Sequence, residues 1–182
     1  MQHETVLPGP VRQIGYVVRD LDAAVAHWLK LGVGPWFVMR GLAQRGAYRG
    51  EPCEVTLSLA LANSGELQVE IIQQTDAAAS IFTEFLDSAG EGFHQLAYWT
   101  DDFDATMARV AAAGWPVVWS GGADDGVRFS YVELGGAGTT GPARPAAIIE
   151  IMELTEASAG MAAFVRRAAE NWDGSDPIRE LG

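Results

Sequence analysis

The sequence predicts an α+β fold made of two tandem βαβββ modules followed by a C-terminal helix. Two observations carry that prediction. Residues 13–32 (QIGYVVRDLDAAVAHWLKLG) recur as residues 95–114 (QLAYWTDDFDATMARVAAAG), with Gln13/Gln95, Tyr16/Tyr98, Asp20/Asp102, Asp22/Asp104, Ala23/Ala105, Ala26/Ala108 and Gly32/Gly114 identical at one constant offset. After each copy come three further segments that alternate or run apolar without helical period.

Each copy opens on a β-rich run, IGYVV or LAYWT, and reaches an aspartate suited to capping a helix. Helical spacing follows in Leu21, Val25, Trp28 and Leu29, and in Phe103, Met107 and Val110, and each helix is expected to stop at its glycine. The strands that complete the first module are PWFVMRG, CEVTLSLALA and ELQVEIIQQ; those of the second are PVVWSG, VRFSYVEL and AAIIEIMEL. Between them AASIFTEFLDSA places Ile81, Phe82, Phe85 and Leu86 on one helical face, and 157–172 reads as an amphipathic helix. The expected organisation is a first module over 11–76, a helical linker over 77–91, a second module over 92–155, and a C-terminal helix and tail over 156–182. The final stretch WDGSDPIRELG reads as a turn and a loose end.

Composition limits the partners. The 182 residues carry 12 Lys and Arg against 24 Asp and Glu, a formal charge of −12, which opposes the counterion release that drives binding to nucleic acid. A small-molecule partner is expected instead, and Arg12, Arg19, Arg40, Arg45 and Arg49 form a local group that could guide an anionic metabolite. One cysteine, Cys53, forms no internal disulfide and reads as a packed thiol. The start MQHETVLPGP lacks a basic and apolar leader pattern and no apolar run approaches a membrane span, so a cytoplasmic protein with no membrane partner is expected.

Polar residues embedded in apolar strands are the candidate working groups. Gln13 and Gln95 open the first strand of each module, and Glu70 and Glu150 lie within the last strand of each. Pseudo-twofold symmetry would bring all four together. A carboxylate among apolar strands has its charged form disfavoured, which moves its pKa toward the range useful for acid and base catalysis. Trp99 shares a strand face with Gln95 and would suit the wall of a substrate site. The bland readings are a solvent-facing strand position for either glutamate and ordinary hydrogen-bonded roles for the two glutamines. His27 reads as a helix-surface residue and His3 as part of a loose start.

This layout resembles the vicinal oxygen chelate superfamily, which includes glyoxalase I, methylmalonyl-CoA epimerase, extradiol dioxygenases and bleomycin-resistance proteins. The resemblance runs from Val11 to Leu154; SIFTEFLDSAGEGFHQLAYWTDD looks like the epimerase stretch that joins the modules, and IIEIMEL like the family's closing strand. It implies a divalent metal (Zn, Ni, Co, Mn or Mg) held by Gln13, Glu70, Glu150 and a fourth residue, and pairing of modules across a homodimer. Relatives commonly read HHIA where this chain reads His94-Gln95-Leu96-Ala97, so His94 and Gln95 are alternatives for the fourth place. Strand alternation sends His94 to the opposite face, whereas a one-residue bulge would restore it.

The resemblance implies an isomerase, epimerase or lyase that transfers a proton next to a carbonyl of a small organic acid, ketone or thioester, with Glu70 and Glu150 as base and acid. Gln13, Gln95 and Trp99 would then contact the substrate. Two alternatives stay open. One is a non-enzymatic protein that binds a hydrophobic or drug-like molecule; the other is an extradiol-type dioxygenase, against which Gln13 and Gln95 occupy the two His positions. No nucleotide cofactor is expected: the GxGxxG string at 136–141 is followed by Pro-Ala-Arg-Pro and a strand, so no helix N-terminus receives a phosphate.

Overall fold

The structure is a computed structural model and describes residues 5–123, 126–134 and 148–181. The GxGxxG string and His3 lie outside the described residues. The first module comprises β1 (Gln13–Val17), α1 (Leu21–Lys30), β2 (Trp36–Tyr48), β3 (Glu51–Ser64) and β4 (Leu67–Gln74). A linker helix α2 (Ile81–Ser88) leads to the second module: β5 (Gly92–Thr100), α3 (Phe103–Ala112), β6 (Val117–Gly121), β7 (Phe129–Glu133) and β8 (Ile148–Glu153). Helix α4 (Glu156–Ala169) and a short β9 (Ile178–Glu180) complete the chain.

The repeated aspartates cap their helices as the sequence predicts. Asp20 accepts from Ala23 N at 2.9 Å and Asp102 from Ala105 N at 3.0 Å, which satisfies one orphan donor of each first turn. Gly32 and Gly114 both leave the helix with a left-handed φ (79° and 72°), where a side chain would strain the backbone.

Within each module the first strand runs parallel to the last, and the other pairings are antiparallel. The modules join through β1 and β5, antiparallel, and again through Gly46–Tyr48 of β2 and Trp119–Gly121 of β6. With β2 also paired to β3, the order β3-β4-β1-β5-β8-β7-β6-β2 returns on itself, so the sheet is a closed barrel. Closure requires a bare backbone at the second seam: a Cβ on Gly46 would lie 2.0 Å from Ser120 O.

Side-chain alternation then sorts the residues into an inner and an outer face. Leu21 and Val25 of α1 cover the outer residues Trp36, Val38 and Ile71, while Phe103 and Val110 of α3 cover Val132, Ile149 and Ile151. One end of the interior is filled by Val17, Leu57, Ile72, Trp119 and Tyr131, onto which α2 lowers Ile81 and Phe82. At the other end α4 inserts Val165, which is fully buried against Phe37 and Leu61. Burying a side chain of this size contributes about 1.5–3 kcal/mol.

The C-terminal stretch read as a loose end is partly a strand. Residues 178–180 of β9 pair parallel with Trp36–Val38, and Leu181 N donates to Val38 O at 2.8 Å. The sequence carries little sign of this because a three-residue edge strand has no periodicity to read. Among the described residues no helix is long and apolar enough to cross a membrane.

Candidate functional site

Gln13, Glu70, Gln95 and Glu150 all lie on the inner face. Register shows why: Gly15 of β1 sits between Glu70 of β4 and Gln95 of β5, and one rung further Gln13 lies between Gln68 and Ala97, with Glu150 beyond Ala97. The module symmetry therefore converts equivalent sequence positions into neighbouring ones. Gly15 is the position that makes room, since a Cβ there would meet Gln95 Nε2 at 2.1 Å.

His94 occupies a place that simple alternation does not give it. The β1–β5 register passes from Gly15↔Gln95 to Tyr16↔Phe93 and skips His94, a one-residue bulge. Phe93 then packs outside on Tyr16, ring centroids 5.9 Å apart, and His94 turns into the barrel among Phe82, Phe85 and Tyr131. Of the two alternatives that the sequence leaves for His94, the structure has the bulge and not simple alternation.

His94 Nδ1 donates to Gln95 Oε1, which fixes the amide. Burial pushes the imidazole down to about 4, so it stays neutral and keeps this role at ordinary pH. With its oxygen occupied, Gln95 presents its NH2 to the carboxylates, and Nε2 donates to Glu70 Oε2 at 3.3 Å.

The two glutamates act on each other's charge. Glu150 is buried at 6 % exposure and Glu70 is partly buried. Burial first, and then the Glu150 charge, raise Glu70 well above the ordinary carboxylate range. Burial raises Glu150 to about 7, with Gln95 and Tyr131 holding it lower than it would otherwise be. With burial raising both and the Glu150 charge opposing that of Glu70, the two do not both ionise readily, so the pair retains a proton near neutral pH. Tyr131, on β7 directly opposite Glu150, is itself raised by burial and by the Glu150 charge and remains a neutral donor.

Several residues of this layer carry no candidate role in the sequence reading: Gly15, Asn63, Gln68 and Tyr131. Gln68 lies two positions before Glu70 on the same face, and its Oε1 accepts from Gln13 Nε2 at 2.9 Å. A glycine inside the strand QIGYV, where the repeat has alanine, is the signal that something approaches closely. Trp99 lies farther along β5 at the α4 end, opposite Met152 and away from the carboxylates. The arginine group of the sequence reading is dispersed: Arg40 pairs with Asp22 and Glu180, Arg45 with Glu54, and Arg49 with Glu84 and Glu133, while Arg19 donates to Leu86 O. Cys53 Sγ contacts Ala79 O at 3.2 Å and burial raises its thiol.

The same oxygens bear on a metal. Glu150 Oε2 and Gln13 Oε1 are buried without a hydrogen-bond partner, and with Glu70 they make an all-oxygen set suited to a hard cation such as Mg or Mn. His94 faces the Gln95 amide, so the set has no imidazole to favour Zn, Ni or Co. Among the described residues no group of three or more His, Cys, Asp or Glu is arranged to hold a metal ion.

Comparison with known proteins agrees with this architecture. The structure resembles methylmalonyl-CoA epimerase from Mycobacterium tuberculosis, with a TM-score of 0.56 and 22% identity over 88% of this chain and 97% of that one. It also resembles the Streptomyces coelicolor methylmalonyl-CoA epimerase in complex with 2-nitronate-propionyl-CoA (TM-score 0.52, 20% identity, 80% of this chain and 94% of that one). A hypothetical protein from Bacillus halodurans aligns with a TM-score of 0.52 and 13% identity over 81% of this chain and 95% of its own. No curated protein matches the sequence. The family model for the Glyoxalase/Bleomycin resistance protein/Dioxygenase superfamily matches residues 12–131. With paired βαβββ modules closed into one barrel and a family match over most of its length, the chain belongs to the glyoxalase/bleomycin resistance/dioxygenase superfamily, the vicinal oxygen chelate proteins.

Proposed function

We infer that the chain is an isomerase, epimerase or lyase that transfers a proton at a carbon next to a carbonyl. The observation that supports this reading most is a pair of glutamates from equivalent strands, both raised by burial, with the Gln95 amide donating to Glu70. Glu150 has donors on it from Gln95 and Tyr131 and is the more readily ionised, so it serves as base. Glu70, raised further by the Glu150 charge, keeps the proton and serves as acid.

The base removes a proton from the carbon, and the acid supplies one to the opposite face or to the carbonyl oxygen. A base whose pKa lies near the working pH has the best balance of ionised fraction and driving force, worth roughly 10²–10⁴-fold in rate. Gln95, held by His94, brings its NH2 to the two carboxylates, and Tyr131 donates to Glu150. A divalent cation held by Glu70, Glu150 and Gln13 would supply positive charge for the enolate oxygen.

The substrate class is a small organic acid, ketone or thioester. Similarity to epimerases seen in complex with CoA ligands is compatible with the thioester member of that class. The test is wash-in of solvent deuterium, followed by proton NMR, across a panel of small oxo acids, ketones and acyl thioesters. At least one should exchange its carbon-bound proton with wild-type protein and lose most of that rate with Glu70→Gln or Glu150→Gln. Equal exchange by the double variant would overturn the reading.

A further inference from the structure

Each end of the barrel interior is covered by a helix, and the two covers are held differently. Helix α2 closes its end with two buried side chains, Ile81 and Phe82, which join Val17, Leu57, Ile72 and Trp119 in one packed cluster. It is also tied down from outside: Arg49 Nε and Nη2 donate to Glu84 at 3.0 and 2.6 Å, Tyr48 donates to the same carboxylate, and Arg19 Nη2 donates to Leu86 O at 3.1 Å. Of the fourteen described residues of α4, by contrast, only Val165 is buried. Phe164 lies on the Phe37 ring, centroids 4.8 Å apart, but stays 42 % exposed. The side of α4 that carries Ala159, Ala162 and Ala163 overlies a recess of about 400 Å³ instead of a packed neighbour. Its ion pair to the barrel, Arg166 with Glu66 at 3.4 Å, joins exposed groups and contributes little.

The ends of α4 are fixed even though its middle is not. Leu154 N donates to Thr100 O at 2.7 Å, Ser158 Oγ donates to Glu153 O at 2.9 Å, and Thr155 caps the first turn. Beyond the last turn Trp172 packs against Gly34, where a Cβ would lie 2.7 Å from its ring, and β9 joins β2. Helix α4 is thus a strap with two anchored ends and a middle held by one valine. What that valine covers links the strap to the carboxylates: Val165 packs on Phe37 and Leu61, and Leu61 is the direct cross-strand partner of Glu70. Glu70 is also the less enclosed of the two glutamates, being partly buried where Glu150 is 6 % exposed. Segments that open are drawn from the parts of a fold with the fewest buried apolar contacts, and by that measure the α4 end opens before the α2 end.

We propose that the middle of α4 is a lid over the Glu70 side of the barrel interior, and that ligands enter and leave beneath Val165 while α2 stays shut. Opening lifts Val165 and Phe164 off Leu61 and Phe37 about the anchored ends; closing returns them and excludes water from the carboxylates. The proton-transfer reading above bears only on what passes the lid, whereas the lid itself follows from how the two covers are packed.

Thiol labelling reads the lid without any substrate. Full-length protein with Cys53→Ser receives a single cysteine by Leu61→Cys, beneath α4, or by Leu57→Cys, beneath α2; the two positions are 8 % and 2 % exposed on the same face of β3. Reaction with a small aromatic disulfide is followed under native conditions, and the global unfolding rate of each variant is measured separately in urea. The Leu61→Cys thiol should react roughly tenfold or more faster than the Leu57→Cys thiol, and faster than global unfolding allows. Adding Val165→Ala or, at an exposed position that leaves the core intact, Phe164→Ala should speed the Leu61→Cys reaction roughly three- to tenfold, because less apolar surface holds the lid shut, and should leave Leu57→Cys unchanged. Equal rates at the two positions, a Leu61→Cys rate equal to that of global unfolding, or no acceleration by either lid variant would each overturn the lid. No turnover enters the measurement. Labelling as expected without deuterium wash-in would therefore remove the proton-transfer reading and leave the lid standing, and failed labelling with wash-in intact would remove the lid alone.

Discussion

Replacing Glu150 by Gln should make the protein more stable at alkaline pH. Glu150 is raised from 4.5 to about 7 because burial penalises its charge, and a raised acid favours the folded state only while it is protonated. Its stabilising contribution is therefore fully present below about 4.5 and is lost as pH rises through about 7. At about 1.4 kcal/mol per pH unit, ionising it in the folded state costs about 3 kcal/mol. Glutamine keeps the volume and polar contacts without that cost. For a chain of this size, about 3 kcal/mol corresponds to roughly 6–12 °C in Tm. Differential scanning calorimetry of wild type and Glu150→Gln from pH 5 to 8.5 should show a Tm difference that grows in favour of the variant over this range. A variant that is less stable by the same amount at every pH would refute the argument, because the carboxyl would then be ionised at no cost throughout.

Gly15→Ala should push the Gln95 amide off the carboxylates, since the added Cβ would lie 2.1 Å from Nε2; a loss of roughly 1–3 kcal/mol in urea unfolding and a matching fall in deuterium wash-in are expected. His94→Leu leaves Gln95 Oε1 buried without its donor, costing roughly 1–3 kcal/mol, measurable at pH 7. Because His94 is held down at about 4, its own contribution to wild-type stability should fall only as pH drops below about 6.5, opposite in sign to Glu150, and the pH dependence of the His94→Leu difference tests this. Val165→Ala should loosen α4 by roughly 2 kcal/mol and speed amide exchange along that helix. Deleting residues 176–182 removes the partner of Trp36 N, which binds Pro177 O at 2.9 Å, so the Trp36 amide should exchange faster by hydrogen-exchange mass spectrometry while the barrel core stays protected.

The barrel was largely legible because its information is periodic. The repeat of Gln13–Gly32 in Gln95–Gly114 announces two modules, and the capping aspartates and terminal glycines mark both helices. Glu70 and Glu150 stood out for the same reason, as carboxylates in apolar alternation. The sequence offered a bulge at His94 as one of two alternatives but could not choose it. It depends on Phe93 finding Tyr16 outside and His94 finding Phe82 and Phe85 inside, a tertiary preference that overrides strand parity. Tyr131 was equally hidden, since it matters through Glu150 on the neighbouring strand and nothing local distinguishes it from core. The arginines misled in the opposite way: nearness in sequence suggested one anionic site, but β2 and its turn carry Arg40, Arg45 and Arg49 to separate acidic partners. Only Arg12, at the start of β1, reaches the inner rim by Trp99.

The central claim is that Glu70 and Glu150 share one proton near neutral pH, and the most direct measurement is the carboxyl titration itself. Infrared difference spectra with carbon-13 glutamate labelling would follow the protonated carboxyl band across pH 4 to 9. One buried protonated carboxyl should persist at pH 7, titrate in two steps across the pair, and vanish at that pH in Glu70→Gln/Glu150→Gln. A spectrum in which both glutamates are fully ionised by pH 5.5 would contradict the account.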